Sequence, residues 1–179
     1  MLPNIFFISD THFGHKNILG FNSEKDTLLR PKFSDVDHMN EYMYEAWNLV
    51  VKPNDKIYHL GDLALQVKNL DLLKGLRGNK ILYRGNHDKM ALAEYAKYFK
   101  DVRAVDYKGE FGFVLSHIPL HYRHFKEGFV NVHGHLHSRE VLTDSGDIDP
   151  RYFNVSVERL NYVPIELGEL KELIRARTH

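Results

Sequence analysis

The chain has 179 residues and no cysteine, which excludes disulfides and thiolate zinc sites. Its 24 basic and 24 acidic side chains give a formal net charge of +0, which argues against a general polyanion-binding protein. The sequence has neither a basic leader followed by an apolar core nor a run approaching the roughly 18 apolar residues of a membrane span. We therefore expect one domain, residues 1–179, in the cytoplasm and away from membranes.

Short apolar runs flanked by glycine and polar residues recur along the chain and predict buried β-strands. They cover residues 5–8, 57–60, 81–83, 113–115 and 129–132, with further strand patterns at 102–107, 111–116, 152–157 and 162–167. The runs at 102–107 and 111–116 flank Lys108-Gly109-Glu110 as in a hairpin.

Helical spacing of apolar residues predicts a helix within 34–51, capped by Ser34 or Asp35. Weaker helical patterns lie at 67–76, 90–99 and 169–177. Strands and helices alternate in the first half of the chain, whereas strands dominate the second half. This order predicts an α/β fold with two sheets packed face to face and helices outside.

Each of the five main apolar runs is followed by side chains that commonly bind metals. They are Asp10 and His12, then Asp62, then Asn86, His87 and Asp88, then His117, and finally His135 and His137. Open α/β sheets gather their ligand sites beyond the carboxyl ends of the strands, so we expect these side chains to converge. Such a cluster would repel itself and resist desolvation unless cations neutralised it. We therefore predict a metal centre with two ions.

The individual motifs differ in strength. Asp10-Thr11-His12, on an extended backbone, would point both side chains the same way, although a turn carboxylate beside a hydrogen-bonded histidine explains this pair equally well. Gly61-Asp62 is also common turn chemistry. The segment 85–88 is more specific, because consecutive residues offer an amide, an imidazole and a carboxylate. The three histidines within 133–137 are the strongest signal, because three imidazoles would crowd one strand face.

The ordered set of motifs resembles the calcineurin-like metallophosphoesterase superfamily, in particular its small bacterial or phage-type phosphoesterases. The matching residues are Asp10-Thr11-His12, Gly61-Asp62, Gly85-Asn86-His87-Asp88, His117 and Gly134-His135-Leu136-His137. The resemblance spans most of the chain. It implies a four-layer α/β/β/α sandwich of two mixed sheets flanked by helices, with a dinuclear metal centre at the strand ends.

The resemblance also implies a role for each site residue. One ion would be held by Asp10, His12, Asp62 and His137, and the other by Asp62, Asn86, His117 and His135, with Asp62 bridging. His87 would be the general acid that protonates the leaving oxygen, and Asp88 would orient it. Oxygen and imidazole ligands suit divalent Mn, Fe, Zn, Co or Ni, with Mn²⁺ the first candidate.

Two such ions lower the pKa of a shared water and stabilise an in-line displacement at phosphorus. The expected activity is thus hydrolysis of a phosphodiester or phosphomonoester of a small or nucleotide-like substrate. The continuation Leu63-Ala64-Leu65-Gln66 departs from the protein Ser/Thr phosphatase pattern, and Ser116 replaces the glycine usual before the fourth-motif histidine. The alternative is a non-catalytic scaffold or partner-binding protein with the same fold, which predicts lost ligands.

Several other polar residues have two open interpretations. His15 could touch a substrate phosphate or cap a backbone carbonyl, and Arg30 and Arg84 could bind phosphate or form ordinary salt bridges. His121 and His124 could be functional or simply exposed. His59 is expected to be packed or solvated rather than liganding, and His133 to lie behind the ligands. The natural substrate and the oligomeric state stay open.

Overall fold

The computed structural model describes residues 2–177. In chain order its strands are β1 (Ile5–Ile8), β2 (Lys56–His59), β3 (Asn79–Tyr83), β4 (Asp101–Arg103), β5 (Val105–Lys108), β6 (Phe113–Ser116), β7 (Val130–His133), β8 (Tyr152–Asn154) and β9 (Ile165–Glu166). The α-helices are α1 (Val36–Val50), α2 (Leu92–Tyr95) and α3 (Leu167–Ala176), and 3₁₀ helices cover Lys16–Gly20, Val67–Lys74 and Tyr122–His124.

The strands form two mixed sheets. The first has the order β4-β3-β2-β1-β9, in which β1 to β4 run parallel and β9 pairs antiparallel with β1. The second has the order β5-β6-β7-β8, in which β5 is antiparallel to β6 and the other pairs are parallel. Parallel strands β1, β2 and β3 therefore end at one edge of the first sheet, and β6 and β7 at one edge of the second.

Successive side chains along the strands of the first sheet point to opposite faces, and each face packs into its own hydrophobic core. Phe6 and Ile8 belong to the core that includes Met39, Met43 and Trp47 of α1. Phe7 points to the other face, where its ring centroid lies 6.2 Å from that of Phe113 on the second sheet. The two sheets thus share one core, and α1 covers the opposite face of the first sheet.

The helices begin where the sequence provides caps. Asp35 is the N-cap of α1, and its carboxylate accepts hydrogen bonds from the backbone N–H groups of Asp37 and His38. In α3 the buried side chains of Leu170 and Ile174 join the core between the sheets. Across residues 2–177, no helix combines the length and the apolar character needed to cross a bilayer.

The prediction of two mixed sheets flanked by helices is confirmed, but several local predictions were wrong. The run 102–107 is not one strand, because β4 belongs to the first sheet and β5 to the second. The helix predicted at 67–76 is present but is a 3₁₀ helix, Val67–Lys74, whereas 90–99 contains only the short α2. The strand predicted at 162–167 shrinks to β9, since Asn161 and Tyr162 have positive φ, which is incompatible with extended structure.

Candidate metal centre

The predicted ligands lie immediately beyond the strand ends, and most have an unusual backbone. Five of the seven have positive φ, namely Asp10, His12, Asp62, His135 and His137. Such backbone strain in non-glycine residues clusters at functional sites. The extended backbone expected at Asp10-Thr11-His12 was therefore wrong: with φ of 58° and 48°, Asp10 and His12 have left-handed backbone conformations.

Two groups of three side chains could each hold a metal ion. Asp10, His12 and His137 form one, and Asp62, His117 and His135 form the other. Within each group the potential ligand atoms all lie within 4.8 Å of one another. In the first group, Asp10 Oδ1 is 3.9 Å from both His12 Nε2 and His137 Nε2. The structure thus brings six of the seven predicted ligands into two compact groups.

The seventh predicted ligand, Asn86, lies beside the second group. Its Oδ1 is 3.0 Å from Nε2 of His117. An amide oxygen at this position adds a neutral donor to one carboxylate and two imidazoles, a mixture that suits first-row transition metals.

Asp62 lies between the two groups. Its Oδ2 is 3.6 Å from His12 Nε2 and 3.4 Å from His117 Nε2. Its other oxygen, Oδ1, accepts a hydrogen bond of 2.8 Å from the backbone N–H of His87. Asp10 is arranged similarly, because its Oδ2 accepts from His135 N–H and from the Ser156 hydroxyl. Each carboxylate thus uses one oxygen for the protein and presents the other towards the histidines.

The polar atoms that face this space fit a cation. Asp10 Oδ1 and His12 Nε2 are buried, and neither has a hydrogen-bond partner within residues 2–177. Burial raises the pKa of Asp10. Burial and the positive charge of Arg30 lower the pKa of His12 to about 2, which keeps that ring neutral and able to bind a metal. Buried acceptors without donors are costly unless an ion or water satisfies them.

Hydrogen bonds at Nδ1 fix the tautomers of two of the candidate ligand histidines. His117 Nδ1 donates to the backbone carbonyl of Leu60 at 2.7 Å, and His137 Nδ1 donates to Oε1 of Glu158 at 3.0 Å. In both rings Nε2 is left to face the site. Such partners of metal-binding histidines orient the ring and raise its basicity.

Glu158 is a site residue that the sequence motifs did not predict. Its side chain is only 4% exposed and also pairs with Arg30, whose Nε lies 2.8 Å from Oε1. Burial raises the pKa of Glu158, but Arg30 and His137 outweigh it and bring the pKa to about 2. The sequence does point to Glu158 in one way, because this carboxylate directly follows the apolar run 152–157, just as candidate ligands follow the other runs.

Of the two roles open to Arg30, phosphate binding or an ordinary salt bridge, the structure shows the salt bridge. Its guanidinium is fully buried and donates to the backbone carbonyls of Asp10 (2.5 Å) and Thr11 (3.0 Å) as well as to Glu158. The Arg30–Glu158 pair therefore connects the backbone that carries Asp10 to the ring of His137.

Asp88 has a different role from the predicted one. Its buried carboxylate accepts three backbone hydrogen bonds, from Asp62 (2.9 Å), Leu63 (3.0 Å) and Gly85 (2.8 Å). Burial raises its pKa, and these bonds act in the opposite direction. With its oxygens committed to these N–H groups, Asp88 fixes the turn that carries Asp62 instead of orienting the ring of His87.

His87 is exposed at the edge of the centre. Its ring centroid is 5.8 Å from that of His12, so it lies beside the first group, and it belongs to neither group of potential metal ligands. His87 thus lies beside the candidate ligand groups without joining either of them.

Two positions of the motifs require glycine, because neighbouring atoms leave no room for a Cβ. Gly61 has φ of +95°, and a Cβ there would lie 2.6 Å from both the Gly85 nitrogen and His117 Nδ1. At Gly134 a Cβ would lie 2.3 Å from Asp10 Oδ2. The absence of a side chain at Gly61 therefore lets the backbone at Gly85 approach closely.

The remaining histidines and Arg84 divide clearly. His59 is fully buried and packed, as expected: it accepts from Gly61 N–H and contacts the Thr11 hydroxyl at 3.0 Å. His133 is buried behind the ligands and donates to the Gly134 carbonyl. Arg84 donates to the backbone carbonyls of Asp88 and Met90, a structural role.

His121 and His124 are exposed and belong to neither metal group. His121 accepts a hydrogen bond from the backbone N–H of Arg123 at the start of the last 3₁₀ helix. His15, in contrast, lies against the centre, with its ring centroid 5.5 Å from that of His12.

Fold and site together define an α/β protein of two mixed sheets whose strand ends carry two adjoining carboxylate–histidine groups that could hold metal ions. The chain belongs to the same family as the uncharacterized protein MJ1445 of Methanocaldococcus jannaschii, with which it is 37% identical over 180 residues, 97% of this chain and 92% of the relative.

Other similarities extend to phages and to a solved structure. The chain is 26% identical over 191 residues to the gene 66 protein of Mycobacterium phage L5, covering 88% of this chain and 87% of that protein. The crystal structure of AQ665 from Aquifex aeolicus, a protein of unknown function, superimposes with a TM-score of 0.70 and 28% identity over 96% of this chain and 99% of that one. No family model matches the chain.

Proposed function

We propose that this protein is a dinuclear metal-dependent phosphoesterase of the calcineurin-like type, with the four-layer sandwich fold of that superfamily. Its substrate would be a small or nucleotide-like phosphodiester or phosphomonoester. The observation that carries the proposal is the position of Asp62 Oδ2, 3.6 Å from His12 Nε2 and 3.4 Å from His117 Nε2. A carboxylate oxygen between two groups of candidate ligands is well placed to bridge a pair of ions.

Asp10, His12, Asp62 and His137 would hold one ion, and Asp62, Asn86, His117 and His135 the other. When bound, the two ions would activate a water molecule and neutralise charge on the phosphoryl group. Hydrogen bonds within the protein already orient several of the side chains that would hold the ions. Leu60 and Glu158 fix the tautomers of His117 and His137, and Ser156 and His135 N–H hold the second oxygen of Asp10.

His87 would donate the proton that the leaving oxygen needs. It is exposed, lies beside His12, and has its backbone N–H anchored on Asp62 Oδ1. The same carboxylate that would bridge the ions therefore also sets the distance of His87 from them. A general acid must lie within hydrogen-bond reach of the reacting group, and typically contributes about 10²- to 10⁴-fold in rate.

The test is hydrolysis of bis-p-nitrophenyl phosphate and p-nitrophenyl phosphate by metal-stripped protein resupplied with Mn²⁺, Ni²⁺, Co²⁺ or Zn²⁺. We expect turnover that depends on metal and collapses in Asp62→Ala and His87→Ala. His121→Ala serves as a control, because His121 is an exposed histidine outside the centre, and it should retain full activity.

Folded protein that binds two ions but hydrolyses neither ester with any metal would contradict the proposal. It would favour instead a scaffold of the same fold that binds partners without catalysis.

A further inference from the structure

A cavity of about 420 Å³ adjoins the candidate metal centre and shares His137 with it. Its other lining side chains include the apolar Phe21, Leu29 and Leu136 and the polar Asn22, Ser138 and Arg139, and we call it the Phe21 pocket. Small-molecule sites have volumes of about 300–1,000 Å³ and combine apolar walls with a few polar groups. In size and lining, the Phe21 pocket meets that description.

A second connection joins this pocket to the metal centre. The ring of His15 lies between the two, with its centroid 5.5 Å from that of His12 and 5.7 Å from that of Phe21. The Nδ1 atom of His15 is buried and has no hydrogen-bond partner within residues 2–177. A ligand whose phosphate lay at the metal centre could thus extend past His15 or His137 into the pocket.

The lining indicates what kind of group would fit. Phe21 is 50% exposed although it lies beside a polar site, and a half-exposed aromatic ring in a cavity offers a surface for stacking. Glu24 and Arg139 both line the cavity and carry opposite charges. Because these charges balance, the lining favours an uncharged group with hydrogen-bonding edges over a second phosphate.

We propose that the Phe21 pocket binds the base of a nucleotide whose phosphate lies at the metal centre. This inference rests on the proposed function and specifies its substrate class as nucleoside phosphoesters. Base–aromatic stacking tolerates any base, because every base has a π-face. Phe21 would provide stacking, whereas Asn22, Ser138 and Arg139 would contact the polar edge.

The test compares two ligands that differ only in the base, adenosine 5′-monophosphate (AMP) and ribose 5-phosphate. Calorimetry with Mn²⁺-loaded protein in the His87→Ala background measures their Kd values without turnover. We expect AMP to bind about tenfold more tightly than ribose 5-phosphate, which is within the range of stacking on one aromatic side chain. Phe21→Ala should make the two Kd values about equal, while the Kd of ribose 5-phosphate stays within about twofold of its value without this substitution. Phe21→Tyr should preserve the preference for AMP.

The control is Tyr107→Ala, because Tyr107 is 47% exposed, like Phe21, but lies on β5 at the edge of the second sheet. It should leave the ratio unchanged. Equal affinities for the two ligands, a ratio that survives Phe21→Ala, or no binding of either ligand would overturn the inference. Hydrolysis of model esters without a base preference would reject the pocket alone, whereas base preference without hydrolysis would reject the proposed function alone.

Discussion

Glu158 accepts a hydrogen bond from Nδ1 of His137 at 3.0 Å through the same oxygen that accepts from Nε of Arg30 at 2.8 Å. One carboxylate oxygen thus orients a candidate metal ligand and is itself held by a buried guanidinium. Arg30 also donates to the carbonyls of Asp10 and Thr11. A substitution at Glu158 should therefore affect both His137 and, through Arg30, the backbone of Asp10.

Replacing Glu158 by Gln should weaken metal binding. The amide keeps an acceptor for His137 but removes the charge that makes the imidazole more basic, and loss of such a partner typically costs about 10- to 100-fold in metal affinity. Calorimetric titration of metal-stripped protein with Mn²⁺ measures this change.

Glu140→Gln is the matched control for that substitution. Glu140 also pairs with two arginines, Arg159 and Arg177, at 2.5 and 2.9 Å, and belongs to neither ligand group. Its loss should leave the Mn²⁺ affinity unchanged. Equal losses of affinity in both variants would mean that Glu158 acts through general stability and not through His137.

Replacing Asp88 by Asn should destabilise the turn that carries Asp62. An amide cannot accept from all three backbone N–H groups without turning its own NH₂ towards one of them, and a buried unsatisfied group costs about 2 kcal/mol. Urea denaturation of metal-free protein should show a loss of this size in the free energy of unfolding. Asp144→Asn, in an exposed loop, is the control. A stability equal to that of the wild type would contradict the positioning role of Asp88.

The stability of metal-free protein should fall as the pH decreases below 6.5, and His59 should contribute to that fall. Burial lowers the pKa of His59 from its ordinary value of 6.5 to about 3. Between these two values the unfolded chain binds a proton that the folded protein excludes, so acid favours unfolding by roughly 1 kcal/mol per pH unit. His59→Gln should flatten the dependence of unfolding free energy on pH between 6.5 and 5. An unchanged slope would show that His59 is protonated in the folded state.

Metal should stabilise the folded protein through the first ligand group. A ligand present at 100 times its Kd adds about 2.7 kcal/mol to the free energy of unfolding. We expect Mn²⁺ to raise the Tm of the wild type in a concentration-dependent manner. Asp10→Asn should reduce this rise, because Asp10 Oδ1 is a buried carboxylate oxygen of the first group with no hydrogen-bond partner within residues 2–177. A Tm that does not respond to Mn²⁺ would contradict metal binding.

The positions of the candidate ligands could be predicted because they depend on local sequence. Each of Asp10, Asp62, His117 and His135 follows a short apolar run by a few residues, and the ends of parallel strands meet at one edge of a sheet. The α1 helix was equally accessible, since Asp35 caps it and the apolar residues keep helical spacing.

The remaining details depend on contacts that are distant in sequence. The backbone carbonyl of Asp10 is held by Arg30, 20 residues away, and the role of Asp88 depends on backbone groups at 62 and 63, 26 and 25 residues away. The division of 102–107 between two sheets likewise follows from pairing with β3 and β6. Spacing and composition carry no information about such contacts.

If Asp62 lies between two metal ions, anomalous diffraction from crystals soaked in Mn²⁺ should locate both of them. We expect two anomalous peaks, one among Asp10, His12 and His137 and one among Asn86, His117 and His135, each contacting Asp62 Oδ2. Two ions should occupy the wild type, and Asp62→Asn should lose at least one. A single peak distant from Asp62, or no peak in crystals that diffract well, would rule out a dinuclear centre at Asp62.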